Sequence, residues 1–184
     1  MGLRRVNRET TVRTERLDLE PLAVAHAGEM AGVLADPALH AFIGGAPLTE
    51  PELRARYERL VAGSPDPAVV WCNWVVRLRA GGRLAGTVQA TVTDGGRTAE
   101  VAWVTGTEWQ GRGIAREAAA ALVALLTERG ARTVVAHVHP DHKASAAVAH
   151  AAGLRPTEEE QDGEIRWEFR PCAPELRDEA VVRS

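Results

Sequence analysis

The sequence lacks the features that mark several classes of protein. Only two of its 184 residues are cysteine, Cys72 and Cys172, which is too few for a disulfide framework and favours a reducing compartment. No apolar run is long enough to span a bilayer, and the charged segment from Met1 to Thr14 has no signal-peptide core. The formal net charge is only −3, so the composition does not favour a nucleic-acid binder. We therefore expect a cytoplasmic protein that binds neither membranes nor nucleic acid.

The remaining composition is that of an ordinary globular domain. Hydrophobic residues make up 45% of the chain and charged residues 26%. There is no internal repeat and no low-complexity linker, and the length suits one domain. We place that domain at residues 14–171 and expect residues 1–13 and 172–184 to be mobile termini.

The N-terminal third has the pattern of one strand followed by two helices. Leu17 to Glu20 alternates apolar and polar residues, as a half-buried strand does. Residues 22–35 predict a helix that Asp36-Pro37 stops. A second helix is predicted to begin near Thr49, which has capping-box spacing with Glu52. Its apolar stripe consists of Leu53, Tyr57, Leu60 and Val61.

The rest of the chain predicts a mixed sheet. Glycine-rich turns separate strands at residues 69–79, 84–93 and 99–105, which indicates consecutive antiparallel hairpins. A long helix (114–129), a strand (133–138), a short helix (141–152) and a last strand (163–170) follow, with Glu158 to Glu160 read as a solvated turn. The order predicts an α/β (α+β) fold with a mixed, mostly antiparallel central sheet flanked by helices, and one parallel crossover. An exposed last strand would support a homodimer.

The most informative segment is the turn before the long helix, Gln110-Gly111-Arg112-Gly113-Ile114-Ala115. The first turn of a helix has free backbone N–H groups and a positive dipole end. Glycines at two of these positions let a diphosphate approach the amides closely. The spacing alone is equally consistent with a glycine-rich turn that binds no ligand.

This turn resembles the Gln/Arg-x-x-Gly-x-Gly/Ala motif of the GNAT superfamily of N-acetyltransferases. Four further segments are similar to that family: residues 14–19, which resemble the opening strand of the ribosomal-protein N-terminal acetyltransferase branch, and residues 99–104, 138–145 and 152–154. The resemblance implies a GNAT fold and transfer of an acetyl group from acetyl-CoA to a primary amine, by direct attack in a ternary complex. The acceptor would be a protein N-terminus or a small molecule, bound by the two early helices and the loop from Phe42 to Pro47.

The resemblance also implies where acetyl-CoA would bind. The strand before the turn would contact the pantetheine arm, the turn would bind the pyrophosphate, and His142 stands where the family usually has asparagine. The residues implied are Trp103, Val104, Thr105, Gln110, Gly111, Arg112, Gly113, Ile114, Ala115, Arg116 and His142.

Three residues are candidates for proton transfer. Many relatives have a tyrosine where this chain has Ala149, but the ribosomal-protein branch has a serine in that helix, and Ser145 matches it. A hydroxyl near the leaving sulfur could donate a proton, or it could only bond locally to the helix. Glu100 and His137 are the candidate general bases, and each could equally be an ordinary exposed residue.

Two alternatives come from other classes of protein. His137, His139, Asp141 and His142 fit the His-x-His-x-Asp-His pattern of zinc hydrolases, although the chain offers few further ligands downstream. The missing tyrosine and asparagine also allow a module that binds acyl-CoA without turnover. We expect no metal in the acetyltransferase.

Overall fold

The computed structural model describes residues 10–169. The predicted domain therefore extends two residues beyond this range, and most of both predicted mobile termini lie outside it. Val12–Arg13, placed by the sequence in the N-terminal terminus, forms a short strand, β1, that pairs with the next strand. Within residues 10–169, no helix is both long enough and apolar enough to cross a membrane.

An eight-stranded sheet organises the described part of the chain. The other strands are β2 (Leu17–Pro21), β3 (Val70–Leu78), β4 (Leu84–Thr93), β5 (Thr98–Thr105), β6 (Thr133–Val138), β7 (Arg155–Gln161) and β8 (Glu164–Phe169). Their order in the sheet is β1-β2-β3-β4-β5-β6-β8-β7. Only β5 and β6 pair in parallel, which confirms the predicted crossover and the mostly antiparallel sheet.

Five α-helices in the described range flank this sheet. They are α1 (Ala27–Val33), α2 (His40–Ile43), α3 (Glu50–Ala62), α4 (Ile114–Glu128) and α5 (Lys143–Ala151). Residues of α4 and α5 pack with most strands in the larger core, whereas α1 and α3 enclose a smaller core against Val75 and Leu84. The two helical layers therefore cover opposite faces of the sheet.

The helix boundaries follow local chemistry. Thr49 and Glu52 form the predicted capping box, with the Thr49 amide donating to Glu52 Oε2 at 2.8 Å. The helix predicted at residues 22–35 is instead a 3-10 turn followed by α1, which ends at Val33. The helix predicted from Asp141 begins two residues later, at Lys143. Val61, predicted for the apolar stripe of α3, is 43% exposed, so the buried stripe of that helix is narrower.

The C-terminal hairpin differs most from the sequence expectation. Glu158 to Glu160, predicted as a turn, belong to strand β7. The last strand, β8, lies between β6 and β7, so it is not the exposed edge on which the homodimer expectation was based. A strand exposed on both faces needs no apolar alternation, and β7 shows none.

Candidate active site

Strands β5 and β6 separate in the middle of the sheet. They pair only over Thr98–Glu100 and Thr133–Val135, and β6 continues paired with β8. From Val101 to Thr105, β5 remains paired with β4 but has no strand on its other side among the described residues. This separation leaves main-chain amides and carbonyls of β5 facing a cleft.

On the paired side, β4 and β5 approach closely at Gly86, which lies opposite Thr105. A Cβ atom at residue 86 would collide with the carbonyl oxygen of Val104. Glycine is therefore needed where β5 leaves the sheet.

The glycine turn leads from β5 into α4. Gly111 and Gly113 have φ of 72° and 76°, a left-handed conformation that favours glycine, and Gly113 is the N-cap of α4. The first amides of α4 lack intrahelical partners, so they are available to an anion. The Gln110 side chain donates through Nε2 to the Thr105 carbonyl at 3.1 Å, which ties the turn to the end of β5.

A hydrogen-bonded cluster anchors this turn to the N-terminal strand. Arg16 donates through Nη1 to the Arg112 carbonyl at 2.9 Å and through Nε to Glu117 Oε2 at 2.6 Å. Glu117 Oε1 also accepts from the Thr14 hydroxyl and the Arg16 amide. Burial alone would raise the pKa of Glu117, but these hydrogen bonds outweigh it and hold the pKa below its usual value. The carboxylate is therefore charged at neutral pH.

A cavity of about 480 Å³ lies between this turn, the free edge of β5 and helix α5. Of the eleven residues that the sequence proposed for acetyl-CoA, ten line this cavity. The exception is Arg112, whose guanidinium carbon lies 5.1 Å from the centre of the Trp109 ring. The cavity joins the predicted pyrophosphate turn to the predicted pantetheine strand.

Ser145 lies in the first turn of α5 and lines the same cavity. Its Oγ accepts a hydrogen bond from Trp103 Nε1 at 3.2 Å, which leaves the hydroxyl proton free to donate. Ala149, where many relatives have tyrosine, is fully buried in the larger core. A side chain at residue 149 therefore does not line the cavity, whereas Ser145 does.

A second cavity, of about 490 Å³, lies on the α1–α3 side of the sheet. It includes Phe42 to Ala46 of the predicted acceptor loop, together with residues of α3 and strands β3 to β6. The two cavities share the lining residues Phe42, Ile43, Trp103, Val104 and His142. They therefore meet at the free edge of β5.

The two candidate bases lie together in this second cavity. His137 Nδ1 is 3.3 Å from Glu100 Oε1, and the side chains are 15% and 61% exposed. The parallel register pairs Glu100 with Val135, which brings His137 on the same face of β6 toward the cleft. One imidazole and one carboxylate are thus in contact beside the point where the two cavities meet.

His142 lies at the boundary of the two cavities. Its ring stacks on Phe42 with centroids 4.1 Å apart and planes 7° from parallel. Burial, followed by the charge of His139, lowers the pKa of His142, so its ring is neutral at neutral pH. The position usually occupied by asparagine therefore carries an uncharged ring packed against the acceptor loop.

Tyr57 is a cavity residue that sequence reasoning missed. It is 3% exposed and lines the second cavity, and its hydroxyl has no hydrogen-bond partner among the described residues. Burial, partly opposed by the charge of Arg56, raises the pKa of Tyr57 to about 12. The stripe with Leu53 indicated that Tyr57 faces inward, but only the position of α3 places it at this cavity.

The zinc-hydrolase pattern does not form a ligand set. His137 contacts Glu100, His142 stacks on Phe42, and His139 Nδ1 accepts from the Asp141 amide at 3.2 Å. Across residues 10–169, no three His, Cys, Asp or Glu side chains are grouped closely enough to hold a metal ion. Within these residues the pattern therefore gives no support to the hydrolase alternative.

Residues 16–155 match the family model of the acetyltransferase (GNAT) domain. The chain belongs to the GNAT acetyltransferase family. No curated protein matches this GNAT chain in sequence.

Solved structures share the GNAT fold. A GNAT-family acetyltransferase from Bacillus anthracis is 19% identical with a TM-score of 0.73, and the match covers 88% of this chain and 98% of that one. RimL, a ribosomal-protein α-N-acetyltransferase solved with coenzyme A, is 17% identical with a TM-score of 0.73 and the same coverage of 88% and 98%. The microcin C7 self-immunity acetyltransferase MccE, solved with acetyl-CoA and AMP, is 16% identical with a TM-score of 0.71 and coverage of 86% and 94%. These likenesses confirm the predicted fold.

Proposed function

We propose that this chain transfers an acetyl group from acetyl-CoA to a primary amine by direct attack in a ternary complex. The observation that carries the proposal is the meeting of the two cavities at the free edge of β5. One cavity ends at the glycine turn, and the other contains the Glu100–His137 pair. Two members of the same fold, RimL and MccE, were solved with coenzyme A or acetyl-CoA, which supports acetyl-CoA as the co-substrate.

Acetyl-CoA supplies a thioester whose carbonyl carbon forms the new C–N bond as the C–S bond breaks. The free amides of β5 and of the α4 N-terminus would bind and align it, and one β5 amide would donate to the developing oxyanion. Either Glu100 or His137 would accept the one proton that the amine loses, directly or through water. The Ser145 hydroxyl would donate a hydrogen bond or proton to the departing sulfur.

A module that binds acyl-CoA without turnover is the second candidate. The observation in its favour is Ala149, which is buried in the core and gives no phenol to protonate the thiolate. This candidate predicts cofactor binding with no consumption of thioester. The acceptor, the cytoplasmic location and the homodimer stay predictions.

The test is a thiol-release assay with acetyl-CoA and a broad panel of amines, including protein N-terminal peptides and small molecules. We expect time-dependent free thiol with at least one class of amine. The Gly113→Trp variant should lose acetyl-CoA binding, because a large side chain at φ of 76° both strains the backbone and fills the turn. Binding without thiol release across the panel would favour the module, and unchanged cofactor affinity in Gly113→Trp would contradict the assignment of the turn.

A further inference from the structure

The second cavity, in which the amine would bind (the acceptor cavity), has different chemistry at its two ends. At the cleft end it contains the Glu100–His137 pair and Glu164. At the α3 end it contains Arg56, the one lysine or arginine among the described lining residues. Arg56 is exposed, and no ion pair to it is formed within residues 10–169, so its guanidinium is available to a ligand in this part of the chain.

Further hydrogen-bond donors accompany Arg56. Tyr57, its neighbour on α3, has a buried hydroxyl with no hydrogen-bond partner among residues 10–169, and buried polar groups are normally hydrogen-bonded. The amide side chains of Asn73 and Gln89, which pair across β3 and β4, also line the cavity and make no side-chain hydrogen bond among the described residues. A ligand oxygen at this end would satisfy groups that the free protein leaves unpaired.

The strand pairing of the sheet gives the scale of the cavity between its two ends. Asn73 pairs with Gln89, and Gln89 pairs with Ala102 on the strand that borders the cleft. Tyr57 packs in the smaller core with Val75 of β3, which puts the α3 end above β3. Neighbouring strands are about 4.8 Å apart, so the cavity floor from β3 to β5 is about 10 Å wide, which sets the scale of the separation between the two ends.

From this arrangement we propose that the acceptor is a small amine bearing a carboxylate or phosphate about 10 Å from the reacting nitrogen. Arg56 and Tyr57 would bind that anionic group while the amine lies beside Glu100 and His137. An extended tripeptide, at about 3.5 Å per residue, has the required span between its free amine and its carboxylate. A single α-amino acid is too short. The inference rests on the proposed acetyltransferase function.

The experiment compares matched acceptors in the thiol-release assay at saturating acetyl-CoA. One pair is trialanine and its C-terminal amide, and the other is aminohexyl phosphate and hexylamine. We expect KM for the anionic member of at least one pair to be about 10-fold lower or more, with a smaller change in kcat, as loss of a charged hydrogen bond predicts. The pair with the larger ratio distinguishes a carboxylate from a phosphate.

Substitutions on one helix test the residues themselves. Arg56→Gln should remove the preference for the anionic member, and Tyr57→Phe should reduce it while leaving the thermal midpoint unchanged or higher, because it deletes an unpartnered hydroxyl. Arg59→Gln removes an exposed charge of α3 that does not line the cavity, and it should keep the preference.

Equal KM values for the acid and neutral members of both pairs would overturn the inference, as would a preference that survives in Arg56→Gln. A long neutral peptide that reacts as well as trialanine would also overturn it, in favour of a protein N-terminus. If no amine releases thiol, the proposed function fails instead. Equilibrium binding of the same pairs to wild type and Arg56→Gln then tests the anion subsite by itself.

Discussion

At the scale of single residues, Ser145 is held by a hydrogen bond in the cavity beside the glycine turn, where acetyl-CoA would bind (the cofactor cavity). Trp103 Nε1 donates to its Oγ, so the rotamer is held while the hydroxyl proton points elsewhere. A hydroxyl can accept this bond and still donate its own proton, because it has one donor and two acceptor lone pairs. Ser145 is therefore the residue whose substitution most directly tests proton delivery to the sulfur.

We expect Ser145→Ala to lower kcat about 100-fold, the lower end of the range for general acid–base groups, with the acetyl-CoA Kd unchanged. Ser145→Thr, which keeps the hydroxyl, should recover part of the rate. Steady-state kinetics and calorimetric binding separate the two effects. A wild-type kcat in Ser145→Ala would show that the serine only supports the local structure.

At the scale of secondary structure elements, the glycine turn is held by β2 and the segment before it. Arg16 bonds the Arg112 carbonyl inside the turn and Glu117 in the first turn of α4. One arginine therefore fixes the start of the helix relative to the sheet. The orientation of the free amides depends on a residue that does not line the cofactor cavity.

We expect Arg16→Gln to raise the acetyl-CoA Kd by about 3- to 10-fold, because a charge-assisted bond at a half-exposed side chain is worth about 1 kcal/mol. The matched control is Arg13→Gln, which breaks an exposed ion pair to Asp18 on the same segment. Direct binding of acetyl-CoA to both variants is the measurement. Equal affinities in the two variants would mean that the turn holds its shape without Arg16.

The elements differ in how far the sequence predicts them. Strands β3 to β5 were predicted because glycine pairs separate their apolar runs, and the structure gives Gly81, Gly82, Gly95 and Gly96 the positive φ of tight turns. Strand β7 was missed because Arg155–Gln161 is mostly exposed and carries no apolar alternation. It is paired with β8 by main-chain hydrogen bonds, which the pattern of hydrophobic side chains does not reveal.

The candidate site is likewise predicted by the sequence only in part. The glycine turn is local, so its motif placed it correctly at the mouth of α4. The contact between Glu100 and His137 joins residues 37 positions apart and depends on the parallel register of β5 and β6. Tyr57 is more than 40 positions before Glu100 in the sequence, yet the packing of α3 brings it to the same cavity. Distances across the sheet depend on the tertiary structure, which local sequence patterns do not determine.

At the scale of the whole molecule, stability should depend on pH through two half-buried histidines. Burial is the main cause that lowers the pKa of both His26 and His142. The unfolded chain binds a proton near pH 6.5, whereas the folded chain does so only at lower pH. The unfolded state therefore gains protons first, and the free energy of unfolding falls as pH drops below about 6.5.

We expect the urea midpoint to be lower at about pH 5.5 than at about pH 7.5, and the difference to be smaller in His142→Asn. His150→Asn, which removes an exposed histidine from α5, is the control and should retain the wild-type difference. A wild-type midpoint that does not change over this range would contradict the buried, neutral state of His142.

The close contact at Gly86 limits how this protein could be redesigned to accept longer acyl donors. Because a side chain at residue 86 would collide with the Val104 carbonyl, β4 offers no room to widen this cavity. The opposite wall is built from Ala144, Ala147 and Val148 of α5, whose side chains are already small or can be shortened. If acetyl-CoA binds as proposed, space for a propionyl or butyryl tail would have to come from the helix.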